Sequence, residues 1–209
     1  MKFNRGQILA NLVCQIPFYL FVIDLIIGNL TANPIQAVTL RSGSTSINLL
    51  LFTLMCTPLS RLFGLTSFIQ IRKITGLYSL FYAVLHFLVF AVIDFELKIN
   101  WIIEEIRYKP FLQIGLGSLT ILIILGLTSI KFIKNKTKKI WKPVQRLIYL
   151  AAGLSILHNF LAAKGNILLP VFQMVIFILL MLIRIKPFMT RLVFKFKIFD
   201  KINQYLLSV

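Results

Sequence analysis

The sequence predicts an all-α integral membrane protein, a bundle of six transmembrane helices with both termini in the cytoplasm. Of its 209 residues, 58% are hydrophobic, and the mean hydropathy is +0.88. Soluble domains have an apolar content of only ~45–50%. The apolar residues form runs close to the ~20 residues that a helix needs to cross a bilayer. The 23 lysines and arginines lie between these runs, as expected for loops at a membrane surface.

Six apolar runs are the predicted spans. They cover residues 8–27, 45–61, 73–93, 111–133, 145–163 and 168–186. The first run follows Lys2 and Arg5, as in a signal peptide, but Asp24 interrupts it and no small-residue cleavage site follows. We therefore expect a retained helix. The second run is the weakest span, because Asn48 lies inside it and Pro58 near its end.

The distribution of cations predicts the orientation. When the loops are assigned alternately to the two sides, one side receives only five of the 23 cations: Arg41, Lys98, Arg107, Lys109 and Lys164. The side with the other 18 is predicted to be cytoplasmic, because positive residues are enriched there. Four of the six acidic residues lie in the opposite, outer loop 94–109.

Two regions follow from this pattern: a six-helix transmembrane domain over residues 1–187 and a basic cytoplasmic tail over 188–209. The tail mixes cations with phenylalanine and isoleucine, which favours contact with an anionic lipid surface or a simple positive anchor. The net charge of +17 would suggest nucleic acid in a soluble protein. Here the cations lie between apolar runs, so we expect membrane lipid and no nucleic acid as partner.

The two histidines of the chain, His86 and His158, lie within the third and fifth runs. They follow the predicted helix starts, Ile74 and Gln145, by 12 and 13 residues. That is ~18 and ~20 Å of helix, so the two imidazoles are predicted to lie at nearly the same depth. Each histidine shares a stripe with small residues: Gly76, Ser79 and Ala83 in the third run, and Ala151, Ser155 and Ala162 in the fifth. Opposed imidazoles beside small residues are what a haem with two axial histidines requires.

The two histidines could also serve without a haem. Each imidazole could fix helix packing through a hydrogen bond. Zinc would need a third and fourth ligand, which the sequence does not offer at this depth. A proton relay would need nearby carboxylates, and Asp24 is the one acid inside a predicted span.

Cys14 and Cys56 fall in apolar runs and are interpreted as buried thiols. No short repeat is evident.

Five segments resemble one family over nearly the whole chain. They are LFTLMCTPLSRLFG (51–64), IRKITGLYSLFYAVLHFLVF (71–90), YKPFLQIGLGSL (108–119), LGLTSI (125–130) and WKPVQRLIYLAAGLSILHNFLAAK (141–164). This sequence is similar to the haem-binding membrane subunits of bacterial periplasmic methionine sulfoxide reductase systems, which are ferric-reductase-like transmembrane proteins.

The resemblance implies an electron-transfer subunit of the bacterial inner membrane that binds haem b and performs no sulfoxide chemistry itself. Electrons would come from quinol, or from a flavin such as FMN on the cytoplasmic side. They would leave to a periplasmic molybdopterin enzyme that reduces methionine sulfoxide. His86 and His158 match family haem ligands. The family has a further histidine 13 residues before the second one, and Gln145 stands there. The resemblance therefore implies one haem near the outer face, while a second, inner haem lacks a ligand.

Three cations are further candidates for cofactor binding. Arg72 and Lys73 begin the third run and suit a flavin phosphate or a haem propionate, although positive-inside topology also explains them. Arg41 suits a propionate of the outer haem or is an ordinary loop residue. Two other functions compete with the main one: a stand-alone transmembrane ferric or quinone reductase, and a transporter or scaffold with structural histidines.

Overall fold

The computed structural model describes residues 4–163, 165, 167–185 and 190 of the chain. Within these residues it is all-helical, which confirms the all-α part of the predicted fold class. The helices are α1 Arg5–Ile27, α2 Pro34–Phe63, α3 Ser67–Leu88, α4 Ile99–Tyr108, α5 Pro110–Thr128, α6 Lys131–Lys136, α7 Lys138–Gln145, α8 Ile148–Ala162 and α9 Leu168–Ile183. A π-helical segment, Val89–Asp94, continues α3. Apart from Thr190, the predicted basic tail lies outside the described residues.

The ends of the first two helices follow from local sequence. The Asn4 side chain accepts a hydrogen bond at the start of α1, and Gln7 completes a capping box. Pro34 occupies the first turn of α2 behind the cap residue Asn33, where the missing N–H of proline costs nothing. Gly64 ends α2 in the left-handed conformation that glycine adopts easily. Consequently α2 begins eleven residues before the predicted run 45–61.

Among the residues that the structure describes, four helical stretches are long and apolar enough to cross a membrane: Arg5–Ile27, Pro34–Phe63, Ser67–Asp94 and Pro110–Thr128. The helices α8 and α9 have 15 and 16 residues, which is ~22–24 Å of helix. This is less than the ~30 Å hydrocarbon core of a typical bilayer. The number of six spans and the cytoplasmic termini therefore stay predictions.

Two helix pairs form the centre of the bundle: α2 packs along α3, and α5 packs along α8. The helix α1 covers α3, while α9 packs against both α2 and α8. The buried core where the pairs meet includes Leu50 and Leu54 of α2, Leu122 of α5 and Ala151 of α8. The outer surface is apolar as well; on α1, for example, Ile26 is 78% exposed. Such a surface suits lipid and not water.

Candidate functional site

The structure brings His86 of α3 and His158 of α8 together at the interface of the two helix pairs. Their ring centroids lie 6.1 Å apart, and the ring planes are nearly perpendicular, at 82°. Both rings line one cavity of about 340 Å³, a volume in the range of ~300–1,000 Å³ that small-molecule sites have. Two imidazoles from separate helix pairs thus face a shared space.

A backbone carbonyl orients each imidazole. His86 Nδ1 lies 2.8 Å from the carbonyl oxygen of Thr39, and His158 Nδ1 lies 2.7 Å from that of Phe111. A carbonyl can only accept, so each Nδ1 must carry the proton and donate it. The Nε2 atom of each neutral ring then carries the lone pair, which is the arrangement that a metal-binding histidine requires.

A glycine lies directly beside each imidazole. A Cβ atom added at Gly43 would come within 3.1 Å of His86 Nδ1, and one added at Gly115 would come within 2.7 Å of His158 Nδ1. Real Cβ atoms essentially never make contacts below 3.0 Å. Residue 115 must therefore be glycine for the ring of His158 to approach α5 this closely.

The two half-sites are built alike. In both, the histidine follows its carbonyl partner by 47 residues. In both, a serine hydroxyl donates a 2.8 Å hydrogen bond to a carbonyl 33 residues later, from Ser46 to Ser79 and from Ser118 to Ala151. Every residue of the second half-site lies 72 positions after its counterpart in the first: Thr39 and Phe111, Gly43 and Gly115, Ser46 and Ser118, Ser79 and Ala151, His86 and His158.

This internal repeat was not predicted from the sequence. Its signal is Gly-x-x-Ser followed 40 residues after the serine by histidine, which occurs from Gly43 and again from Gly115. The flanking residues differ, so the repeat is not visible as sequence similarity between the two halves. Only the matched spacing of these residues reveals it.

The wall of the histidine cavity is mostly apolar, with acids at one end. Phe87, Phe90 and Phe111 contribute aromatic side chains to the lining. Asp94 and Glu105 also line it, and the Glu105 carboxylate forms an ion pair with Lys109. Much of the lining around the imidazoles is therefore apolar, and its acidic groups come from the π-helical segment and α4.

None of the three predicted cofactor-binding cations is among the described residues that line the histidine cavity. Arg41 forms an ion pair with Asp24. Arg72 donates to the hydroxyl of Thr57 at 3.2 Å, and Lys73 donates to the carbonyl of Ser129 at 2.9 Å. Arg72 and Lys73 line a second cavity, of about 850 Å³, at the opposite end of the bundle.

Gln145 also lines this second cavity. Its amide nitrogen donates to the hydroxyl of Thr128 at 3.0 Å and to the carbonyl of Leu125 at 3.3 Å. The side chain thus fastens α7 to the end of α5. Within the described residues no three side chains of histidine, cysteine, aspartate or glutamate gather where they could hold a metal.

Taken together, the helices and the two facing imidazoles define the class: an all-helical, multi-pass membrane protein. Residues 42–156 match the family model described as "Ferric reductase like transmembrane component", and this stretch contains His86. His158 lies two residues beyond its end. The chain belongs to this family.

Relatives place the chain within one branch of it. It is 32% identical to a protein of Herminiimonas arsenicoxydans over 81% of this chain and 79% of the relative. It is 34% identical to one of Ralstonia nicotianae over 77% and 74%, and 30% identical to one of Rhodospirillum rubrum over 89% and 90%. Each relative is named as the protein-methionine-sulfoxide reductase heme-binding subunit MsrQ, and the chain is a member of the MsrQ family.

Proposed function

We propose that this chain is a haem b-binding electron-transfer subunit of a protein-methionine-sulfoxide reductase, with His86 and His158 as the axial ligands of one haem iron. The observation that carries the proposal is the pair of imidazoles 6.1 Å apart, each oriented through Nδ1 by a backbone carbonyl. The names of the relatives support the same cofactor.

The spacing of the rings fits a single iron between them. A metal–imidazole nitrogen bond is ~2.0 Å long, so the space between two rings whose centroids lie 6.1 Å apart would admit one metal ion held by both. The two imidazole nitrogens are therefore compatible with a haem iron as the bound group.

The residues around the histidines have separate tasks. The carbonyls of Thr39 and Phe111 hold the proton on Nδ1 and keep Nε2 basic. Gly43 and Gly115 let the rings lie against α2 and α5. The aromatic side chains of the wall would limit solvent access, which influences the redox potential of a bound metal. A bound haem supplies a carrier for one electron at a time.

We further propose six spans with both termini in the cytoplasm. The alternation of the loops and their 18-to-5 division of cations support this topology. It puts the histidine cavity in the outer half of the membrane and the cavity of Gln145 at the cytoplasmic side. Electrons then leave outward, to a periplasmic molybdopterin enzyme that carries out the sulfoxide chemistry.

The proposed donor is quinol, with a cytoplasmic flavin as the alternative. A quinol dissolved in the membrane can approach the outer half, where the histidines lie. The flavin route needs a flavin phosphate at Arg72 and Lys73. With a single haem in the outer half, electrons from such a flavin would still have to cross the membrane from the cytoplasmic side to the histidines. Reduction of the purified protein by a quinol analogue, measured beside reduction by FMN with a flavin reductase, distinguishes the two donors.

One haem per chain is proposed because the position of Gln145 lacks an imidazole. The amide nitrogen of Gln145 is a donor with partners on α5, and an amide is a poor ligand for haem iron. Among the described residues that line the inner cavity there is also no histidine.

The rival in which the histidines only hold helices together predicts no haem. In that case both ring nitrogens would usually have hydrogen-bond partners. Among the described residues, His86 and His158 make their hydrogen bonds through Nδ1, so Nε2 is available to a ligand. A stand-alone ferric or quinone reductase would share the haem, and differs by acting without the molybdenum enzyme.

The test is the optical spectrum of the full-length protein purified in detergent, oxidised and dithionite-reduced, with haem counted per chain. Wild type should show a low-spin b-type spectrum with one haem. His86→Ala and His158→Ala should each lose the haem or turn it high-spin. The matched control is Gln145→Ala at the opposite cavity, which should keep the wild-type spectrum. Two haems per wild-type chain, or a haem that survives both histidine substitutions, would refute the assignment.

A further inference from the structure

The second cavity combines positive charge with an apolar floor. It measures about 850 Å³ and lies between α3, the end of α5 and the α7–α8 junction. Six cations contribute to its lining: Arg61, Arg72, Lys73, Lys134, Lys142 and Arg146. No aspartate or glutamate is among the described residues of this lining. A group that enters this cavity therefore meets a strong positive potential.

No carboxylate compensates these charges within the part of the chain that the structure describes. The ion pairs found there involve Arg41, Lys98 and Lys109, which lie at the other end of the bundle. Arg72 and Lys73 bind neutral oxygens of Thr57 and Ser129. Six cations close together repel one another, so an anion in the cavity would lower the energy of this region.

The deeper lining is aliphatic and continues onto the outer surface. Leu50 and Leu122 of the buried core form part of it, as do Ile69 and Leu77 of α3. Ile69 is 56% exposed and Leu77 is 39% exposed, so the cavity is continuous with the surface that faces lipid. A ligand can thus place a negatively charged group among the cations while its hydrocarbon chains extend along α3 to the outer surface.

The aromatic residues of the lining are already engaged by cations. Lys134 Nζ lies 4.4 Å from the ring centroid of Trp141, and the guanidinium carbon of Arg184 lies 5.1 Å from that of Tyr149. Each ring therefore has one face covered by a positive group. A flat aromatic ligand such as a flavin would have to compete for these faces, whereas aliphatic chains need only the leucines and isoleucines.

We propose that this cavity binds the phosphate headgroup of an anionic phospholipid, with the acyl chains lying along α3. Basic cavities between transmembrane helices at the cytoplasmic side are the typical environment for such headgroups. The proposal does not depend on haem, since none of the six cations lines the histidine cavity. It also assigns the cations of this cavity to lipid and not to a flavin.

The probe is phosphatidylglycerol with dioleoyl chains, added to the full-length protein in an uncharged detergent. The readout is the shift in unfolding temperature with lipid concentration, from which an apparent Kd follows. Phosphatidylcholine with the same chains tests the acyl chains alone, and inorganic phosphate tests the free anion. We expect phosphatidylglycerol to stabilise the protein at concentrations where the other two have no effect.

Variants locate the binding in the cavity. Lys142→Gln with Arg146→Gln removes two lining cations whose side chains have no hydrogen bond in the described residues. The matched control, Lys138→Gln with Lys139→Gln, removes two cations of α7 that do not line the cavity. At about 5-fold per cation near an anionic lipid, the cavity variant should bind phosphatidylglycerol about 25-fold more weakly, and the control within about 2-fold of wild type.

Four results would overturn the proposal. The first is equal binding of the two lipids, and the second is an equal loss in cavity and control variants. The third is FMN binding, seen as quenched flavin fluorescence, that phosphatidylglycerol does not displace. Stabilisation by inorganic phosphate at the same concentrations would show a free-anion site and also refute it. The haem spectrum of the cavity variant should match wild type, so failure here is distinct from failure of the electron-transfer assignment.

Discussion

Replacing Gly115 by alanine should loosen the haem without removing either histidine. The new Cβ would lie 2.7 Å from His158 Nδ1, where 3.4 Å is an ordinary contact, so the ring must move away from α5 by ~0.7 Å. Phe111 lies on the same helix as Gly115, and the Nδ1 to carbonyl distance would lengthen from 2.7 Å to ~3.4 Å. That exceeds the ~3.2 Å limit of an N–H···O bond. Loss of such a partner lowers metal affinity by ~10–100-fold.

Two other glycines provide a graded series. Alanine at Gly43 would meet His86 Nδ1 at 3.1 Å, which requires a shift of ~0.3 Å and keeps the hydrogen bond within ~3.2 Å. Alanine at Gly117 would meet its nearest neighbour, Leu154, at 4.0 Å, so Gly117→Ala is the control. Alanine also favours a helix over glycine by ~0.5–1 kcal/mol, so the apoprotein should not lose stability at position 117.

The assay is the rate of haem transfer to excess apomyoglobin, with the low-spin fraction read from the optical spectrum. The expected order of haem loss is Gly115→Ala fastest, Gly43→Ala next, and Gly117→Ala equal to wild type. If Gly115→Ala and Gly117→Ala release haem at the same rate, the hydrogen bond to Phe111 does not support His158 as a ligand, and the reasoning from the geometry fails.

Two predictions concern the buried polar contacts that hold the helices together. Tyr82→Phe removes the hydroxyl that donates to the carbonyl of Cys14 at 2.7 Å. The substitution should lower the free energy of unfolding by ~1 kcal/mol, measured by denaturation in mixed micelles. No change would mean that the packing of α1 does not depend on this contact. Gln173→Leu removes an amide that joins Asn159 and Asn48, each at 2.8 Å. It leaves two amides unpaired and should cost ~1–3 kcal/mol in the same assay, while a neutral or stabilising effect would show that the two asparagines find other partners.

The sequence predicted the helical class and the pairing of the histidines, because both depend on spacing along single helices. It placed the start of the second helix too late, because the residues from 39 to 44 look too polar for a span. The structure provides the physical reason. Thr39, Ser42 and Thr45 donate their hydroxyl hydrogens to carbonyls four residues back in the same helix, which satisfies these groups without water.

The support around the imidazoles could not be predicted in the same way. The contacts of Nδ1 are made with backbone carbonyls, and any residue type supplies a carbonyl. Thr39 and Phe111 hold equivalent places with unrelated side chains. In the sequence, only the glycines and serines that repeat with the same spacing indicate this arrangement. They can be interpreted only when it is known which helices pack together.

The matched half-sites have a consequence for how the protein is made. A ribosome delivers α2 and α3 to the membrane before α5 and α8, and His86 already has its carbonyl partner within that first pair. The same holds later for His158 within the second pair. Each half can therefore orient its own imidazole during synthesis, before the two helix pairs meet at the shared core of Leu50, Leu122 and Ala151. A haem bound as we propose would then enter a site whose two halves were already shaped.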